Sequence, residues 1–335
     1  MKKKVTLNDV AKLAGVAPST VSHVLNRSRK VKPETRAVVE AASKKLNYRP
    51  NPIARGLAKG DFRTIGVINS HMGSEYYAVV MRGIQKGLIH TDFQPVIAGG
   101  EDPEVDAVRI VESLLNRGVE ALILLDHSLP DELILELAKN YPVITVNRIV
   151  PGLEKNAQLV DDVAGGYKAT RYLLDLGHRR IVHVMTDGHF PGTKERLEGY
   201  QKAHHHYGIE IDDRLILDGD GSIDLVMNYV EKLIADRVEF SAVFAQMDTL
   251  AMAVQVVLHH HGISVPGDVS VIGFDDYSFA RLTVPPLTTV HQDMSALGTR
   301  AVQAILKLLA GEEIYLTRVP VELIVRESTS ALKRN

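Results

Sequence analysis

Near the start of the chain, apolar positions recur at helical spacing in two short bursts. Leu7, Val10, Ala11 and Ala14 make one stripe and Val21, Val24 and Leu25 a second, with Gly15 between them. The spacing predicts two short helices flanking a tight turn. Thr6, with Asp9 three residues later, fits a capping pair, Gly15 suits the positive φ that ends the first helix, and Pro18 suits the first turn of the second. A third helix is expected from about Pro33 to Leu46, with Val38, Val39, Ala42 and Leu46 as its buried stripe. Together these predict a three-helix domain built on a helix-turn-helix.

Beyond Arg63 the pattern changes to short β-rich runs alternating with amphipathic stretches. The runs lie at 65–68, 95–98, 121–125 and 142–146, then at 180–185, 215–217, 241–245 and 269–274. Strand, helix and strand repeated in this way produce parallel sheets covered on both faces, and eight strands divide into two doubly wound units. Ligands in such sheets bind beyond the carboxyl ends of the strands. The residues there are polar: Asn69, Ser70, Glu75 and Tyr76 after the first run, Asp126 after the third, Asn147 and Arg148 after the fourth, and Asp248 and Asp275 in the second unit. No phosphate loop, dinucleotide fingerprint, Ser-His-Asp or paired-carboxylate motif is recognisable, so neither a catalytic residue nor a cofactor is expected. Acids, amides and one arginine suit hydrogen bonding to a neutral polyhydroxylated ligand better than they suit bond making.

Charge adds what hydropathy does not. The 335 residues carry a formal net charge of -2, but residues 1–60 hold 14 Lys/Arg against Asp9, Glu34 and Glu40, which is +11, leaving 25 against 38, or −13. Such asymmetry points to nucleic-acid or anionic-membrane contact by the basic end. The second helix also exposes small hydrogen-bonding residues, Ser19, Thr20, Ser22, His23 and Asn26, where long Glu/Lys pairs are usual. No apolar run approaches the roughly 18 residues that span a bilayer, the basic start does not lead into a signal-peptide segment, and the absence of cysteine excludes disulfides and thiolate metal sites. A soluble cytoplasmic protein with no membrane partner is expected.

The ordered motifs TLNDVAKLAGV, TVSHVLN, VKPETR, LNYRPNPIARGL, IGVI, RLEGY, VFAQMD, VPGDVSVIGFDD and PPLTTVHQD run through the whole chain. On them the sequence resembles the lac repressor/galactose repressor family of transcriptional regulators. The resemblance implies a small all-α helix-turn-helix headpiece over 1–49, a hinge helix and linker over 50–60, and an α/β core over 61–335 of two doubly wound subdomains like periplasmic binding proteins. It divides that core into about 61–160 plus 291–320 and about 161–290 plus 321–335. It implies a homodimeric regulator, read as a repressor, that binds a palindromic operator. Carried over by position, Pro18, Ser19 and His23 would face base edges, while Thr6, Leu7, Thr20, Ser22, Asn26, Thr35 and Asn51 would hold phosphates. Ala54 and Arg55 would enter the minor groove and Leu57 would wedge between base pairs. A hinge of about seven residues containing Gly56 is too short to persist alone in water, so DNA and a second hinge are expected to fold it. Ala17 stands where the family usually has serine, which removes a side-chain cap from the second helix.

For the effector, the resemblance implies contacts from Ser70, Tyr76, Tyr77, Asn147, Arg196, Met247, Asp248 and Asp275. Met247, Gly221 and Asn147 replace residues common in sugar-binding members, and Phe190 stands near where purine-binding members use arginine. A sugar or sugar derivative is the favoured effector class, with a nucleoside or another metabolite as the alternative and the direction of its effect on DNA binding open. The histidine triplets at 204–206 and 259–261 fall in final helical turns, where consecutive side chains about 100° apart cannot converge on one ion, so no metal is expected. A leucine-rich tail that makes some relatives tetramers has no counterpart before Asn335, which favours a dimer. A solute-binding protein or an enzyme on the same core would leave the basic 60 residues unexplained.

Overall fold

A computed structural model of the chain describes residues 5–25, 31–48, 62–69, 73–99, 103–125, 129–186, 192–217, 219 and 221–333. Contacts divide it into two units, with the boundary between Arg63 and Thr64.

The first unit holds α1 (Leu7–Ala14), α2 (Pro18–Leu25) and α3 (Pro33–Lys45). Thr6 and Asp9 form the expected reciprocal cap: Asp9 N donates to Thr6 Oγ1 and Thr6 N donates to Asp9 Oδ2, at 3.3 and 2.8 Å. Gly15 follows at φ 65°, a left-handed conformation that closes α1 and turns the chain into α2. Val10, Ala11, Ala14, Val21, Val24, Val39 and Ala42 meet in a small core with Leu7, Leu25 and Leu46 packed at its edge. Val38 does not join that core; it is 49% exposed, because Val39 and Ala42 already occupy the inward side of α3. The expected hinge helix lies outside the described residues.

The second unit contains two sheets. The first, in order β2 (Gln94–Ala98), β1 (Thr64–Ile68), β3 (Ala121–Leu124), β4 (Val143–Val146) and β5 (Ala157–Gln158), is parallel throughout. Period-2 alternation sorts its side chains. Ile65, Val67, Ala121 and Ile123 face α4 (Glu75–Leu88), whereas Ile68, Leu122 and Leu124 pack with α5 (Pro103–Leu115) and α6 (Asp131–Ala138). Later in the chain come α7 (Asp162–Asp175), β6 (Ile181–Val184), α8 (Thr193–His206), β7 (Ile216–Leu217), α9 (Ile223–Ala235), β8 (Ala242–Ala245), α10 (Asp248–His260), β9 (Ser270–Asp275), β10 (Thr288–Gln292), α11 (Met294–Leu309) and β11 (Val321–Ile324). The second sheet runs β11-β10-β9-β8-β6-β7, with only the β10–β11 pair antiparallel. Eleven strands thus stand among the described residues where eight apolar runs were expected. The additional three are the two-residue β5 and the polar or mixed β10 and β11.

The chain crosses between the subdomains three times. After β5 it passes through Leu159–Asp161 into α7, at Asp293 it returns as α11 to cover β3, β4 and α4, and near Arg318 it crosses again to β11. Because β10 extends to Gln292 in the second sheet, the second crossing falls at Asp293 rather than at 291. The first and third crossings are zipped together: Asp161 N donates to Val319 O and Val319 N to Leu159 O, at 3.0 and 2.8 Å. Arg318 reinforces them by donating to Val160 O and forming a bidentate pair with Glu195 on α8, at 2.6 and 2.8 Å.

Each subdomain has one very close helix pair. A Cβ on Gly298 of α11 would stand 2.1 Å from Val80 O of α4, and one on Gly199 of α8 would stand 2.3 Å from Val163 O of α7. The helices meet backbone to backbone, so no larger residue fits without displacing an axis. Between α8 and β8, the His183 ring of β6 is fully buried and stacks on Tyr200 and Phe244 at centroid distances of 4.9 and 4.7 Å. Its Nδ1 meets Phe244 O at 3.0 Å, and burial pushes its pKa down to about 4.

Gly298→Ala should therefore destabilise the core by about 1–3 kcal/mol, read as a lowered melting temperature; an unchanged melt would contradict the backbone contact. His183 predicts an acid sensitivity. An unfolded histidine titrates near 6.5, so between that pH and about 4 the unfolded chain binds a proton that the folded chain refuses, and stability falls as pH drops through the window. Urea melts of His183→Phe and wild type should show the variant losing roughly 2–3 kcal/mol less than wild type between pH 7.5 and 4.5. Parallel pH profiles would refute the assignment.

Candidate functional site

In the core, the carboxyl ends of β4, β8 and β9 and the amino end of α4 converge on one cleft of about 470 Å³. Ser74, Tyr76, Tyr77, Asn147, Arg196, Gln246, Met247, Asp275, Tyr277 and Gln292 line it. Tyr76 and Tyr77 start α4 with their rings edge to face at 4.9 Å. Asn147 and Asp275, the residues at the ends of two strands, adopt φ of 56° and 106°. Side chains other than glycine rarely adopt such backbone, and strain of this kind gathers where a chain must present a group to a ligand. Asn147 is held there through Oδ1, which accepts from Val160 N at 3.3 Å.

The floor of the cleft is ionic. Arg196 on α8 is 3% exposed; its Nε donates to Asp162 Oδ1 at 2.7 Å, its Nη1 donates to Gln246 O at 2.6 Å, and its guanidinium lies 3.6 Å over the Phe274 ring. Asp275 Oδ1 stands 3.7 Å from Nη1 and accepts from Gln292 Nε2 at 2.5 Å. Burial pushes the Asp275 carboxyl up to about 6 although Arg196 opposes the shift. For Arg196, burial lowers the pKa, but Asp162 and Asp275 outweigh it and the net shift is upward.

Six of the eight expected effector residues come together here: Tyr76, Tyr77, Asn147, Arg196, Met247 and Asp275. Ser70 lies outside the described residues. Asp248 stands behind the wall rather than in it: its Oδ2 accepts from Tyr277 N at 2.7 Å and its Oδ1 from Thr289 Oγ1 at 2.5 Å, so the carboxylate ties α10 to β10 and to the turn after β9. Tyr277, Gln292, Gln246 and Ser74 were not anticipated. Gln292 belongs to the PPLTTVHQD motif and Gln246 to VFAQMD, so proximity to quoted motifs was the available signal. At the mouth, Glu75 of α4 accepts from Ser278 N and Oγ at 3.0 and 3.2 Å, linking the two subdomains across the cleft. Arg148, expected near a ligand, is instead paired with Asp131 at 2.5 Å.

In the headpiece, Pro18 and Ser19 are exposed at the start of α2, Thr20, Ser22 and His23 are half-buried along it, and Thr35 is half-buried in the first turn of α3. Thr6 is exposed at the cap of α1 with Leu7 half-buried beside it. Asn26, Asn51, Ala54, Arg55 and Leu57 lie outside the described residues. Of the histidine triplets, His204 is buried on Tyr200 with Nδ1 3.0 Å from Tyr200 O, and no group of metal-ligating side chains is found among the described residues.

Comparison with known proteins decides the family. Residues 6–51 match the family model described as bacterial regulatory proteins, lacI family, and residues 170–329 match the periplasmic binding protein-like domain. The chain is 33% identical to the HTH-type transcriptional regulator GalR of Escherichia coli (strain K12) over 304 residues, 90% of this chain and 89% of that one. The chain belongs to the lacI family. The ribose operon repressor of the same strain is 33% identical over 331 residues, covering 97% of this chain and 99% of its own. A crystal structure of the lac repressor dimer bound to operator and the anti-inducer ONPF superposes with TM-score 0.87 and 27% identity over 98% of this chain and 100% of that one. The lacI-family relatives are transcriptional regulators, and this chain is one of them rather than an enzyme. No helix among the described residues is long and apolar enough to cross a membrane.

Proposed function

We propose that this lacI-family chain is a cytoplasmic repressor that binds a palindromic operator as a homodimer and is controlled by a sugar or sugar derivative held in the core cleft. The observation that carries the reading is the union in one chain of a basic helix-turn-helix and a cleft whose floor is built around Arg196 and Asp275. Cations in the first 60 residues neutralise phosphates and supply sequence-independent affinity, and the exposed start of α2 reads bases in the major groove. Two hinges folding side by side at the operator centre insert Leu57 into a base step. A ligand drawing the two subdomains together alters the spacing of those hinges, so effector and operator bias one two-state element. The three crossings are the chain segments on which such a rotation pivots, two of them held to each other by backbone hydrogen bonds.

Supporting a polyhydroxylated effector, the lining combines tyrosine rings with amides and a carboxylate, the mixture of stacking surface and oriented acceptors that small polar ligands need. Gel shifts with DNA selected from random sequence, at several salt concentrations, should yield a palindrome and an affinity that falls as salt rises. Recovery of no palindrome, or affinity indifferent to salt, would refute operator binding.

Two variants separate the parts. Leu57→Ala should weaken operator binding by about 10-fold or more while leaving non-specific DNA binding nearly intact, since the wedge serves only the kinked site; equal loss on both DNAs would contradict it. Arg196→Ala should leave operator binding in place and abolish the response to effector, checked by gel shift with a ligand identified by thermal shift of the core. A variant that still responds would remove Arg196 from the site.

A further inference from the structure

Two consecutive backbone N–H groups in the turn after β9 serve different subdomains. Tyr277 N donates to Asp248 Oδ2 within its own subdomain at 2.7 Å, a buried bond that fixes the turn on α10. Ser278 N donates to Glu75 Oε1 at 3.0 Å, and Ser278 Oγ donates to Glu75 Oε2 at 3.2 Å. This second contact spans 203 residues of chain and joins the first turn of α4 to the other subdomain, away from the three crossings. One partner is therefore held ready by a turn already anchored, and the other by the start of a helix.

The residues beside this contact line the cleft from both sides: Ser74 and Tyr76 flank Glu75, and Tyr277 precedes Ser278. Parting Glu75 from Ser278 therefore moves the cleft walls themselves. Other groups favour that movement. The hydroxyl of Tyr76 and Oε1 of Gln292 are buried with no hydrogen-bond partner among the described residues, and each would gain water if the walls separated. Burial, with smaller contributions from Tyr77, Asp162 and Asp275, pushes the Tyr76 hydroxyl well above its ordinary pKa, so α4 of one subdomain is pressed into the field of carboxylates carried by the other. Glu75 opposes separation. Its carboxylate accepts two hydrogen bonds, a charge-assisted pair, although solvent at the mouth weakens it.

We propose that Glu75 and Ser278 form a latch that sets how often the core opens, so that a ligand entering the cleft shifts a balance the protein itself has fixed. A ligand hydroxyl that pairs with Tyr76 or Gln292 removes a force for opening and adds to the latch. The opening does not depend on what binds; only its regulatory meaning rests on the cleft being the effector site.

The chain contains no cysteine, so an introduced thiol is the sole one and reports opening directly. In the full-length protein with no ligand added, Met247→Cys places that thiol in the cleft lining, and its rate of modification by a bulky fluorescent maleimide is measured. Adding Glu75→Ala should speed modification about 10-fold, and Ser278→Ala, which keeps the N–H donor, about 3-fold. Glu75→Gln, which retains one acceptor oxygen, should fall between wild type and Glu75→Ala. A second thiol separates a latch from general loosening. Thr170→Cys, fully buried on α7 and outside the cleft lining, should react at one rate in every background, because losing the latch opens the cleft without unfolding the subdomain. Equal rates at position 247 in all backgrounds overturn the proposal, as does acceleration at position 170 that matches the acceleration at 247. Since Ser278 is exposed on its turn, the serine variant keeps the test decisive if a Glu75 variant folds poorly. The effector reading is tested separately by Arg196→Ala, so either can fail without the other.

Discussion

A guanidinium removed from water must be surrounded by charges and carbonyls, and the second subdomain is arranged around that demand from Arg196. Its four partners come from three places in the chain: Asp162 opening α7, Gln246 O after β8, and Phe274 and Asp275 at the end of β9. Displacing any of them leaves a buried charge short of a partner, which costs far more than a misplaced apolar contact. The glycine contact between α7 and α8 belongs to the same arrangement. Gly166 lies under Arg196 O, where a Cβ would be 2.2 Å away, so the backbone that carries the arginine is pressed against the helix that carries Asp162. The cleft floor is rigid because satisfying one ion pins two helices and a strand.

Much of this was legible in the chain, for reasons that differ by element. Strands with continuous apolar runs, such as ALIL and AVFA, announce themselves because both faces are covered. The TTVHQ of β10 does not, since its polar members serve the interior: Thr289 holds Asp248 and Gln292 holds Asp275. Periodicity sees a half-polar segment, whereas the fold uses it as a row of hydrogen-bonding groups behind the cleft. Tyr277 and Gln292 were therefore not anticipated in the cleft lining, whereas Arg196, Asp275 and Tyr76, lying in or beside motifs, were expected and do line it. Asp248 shows the converse error. Its position at the start of α10 is where a ligand contact belongs, but Tyr277 N and Thr289 Oγ1 reach it first. Val38 was misjudged because the inward side of α3 is narrow and is filled by Val39 and Ala42.

The headpiece and core divide the physical labour by charge as well as by fold. A chain with a net charge of -2 would have no long-range attraction to DNA were its cations evenly spread. Concentrating them before residue 61 gives one end a strong pull on phosphate, while the acidic core is repelled from the same surface. That segregation orients the molecule on the duplex before any base is read.

The three crossings between subdomains set a schedule for folding during synthesis. The first sheet is finished once β5 has been made, but the helix that covers β3, β4 and α4 is α11, some 140 residues further on. In the meantime the ribosome must extrude nearly the whole second subdomain while Ile65, Val67, Ile123 and the inner side of α4 wait without their lid. The second sheet waits likewise for β11, which supplies its antiparallel edge almost at the end of the chain. Neither half is complete before the other is nearly so. A nascent chain of this topology therefore keeps that apolar surface uncovered until α11 has been made, and neither subdomain can close from a contiguous stretch of sequence.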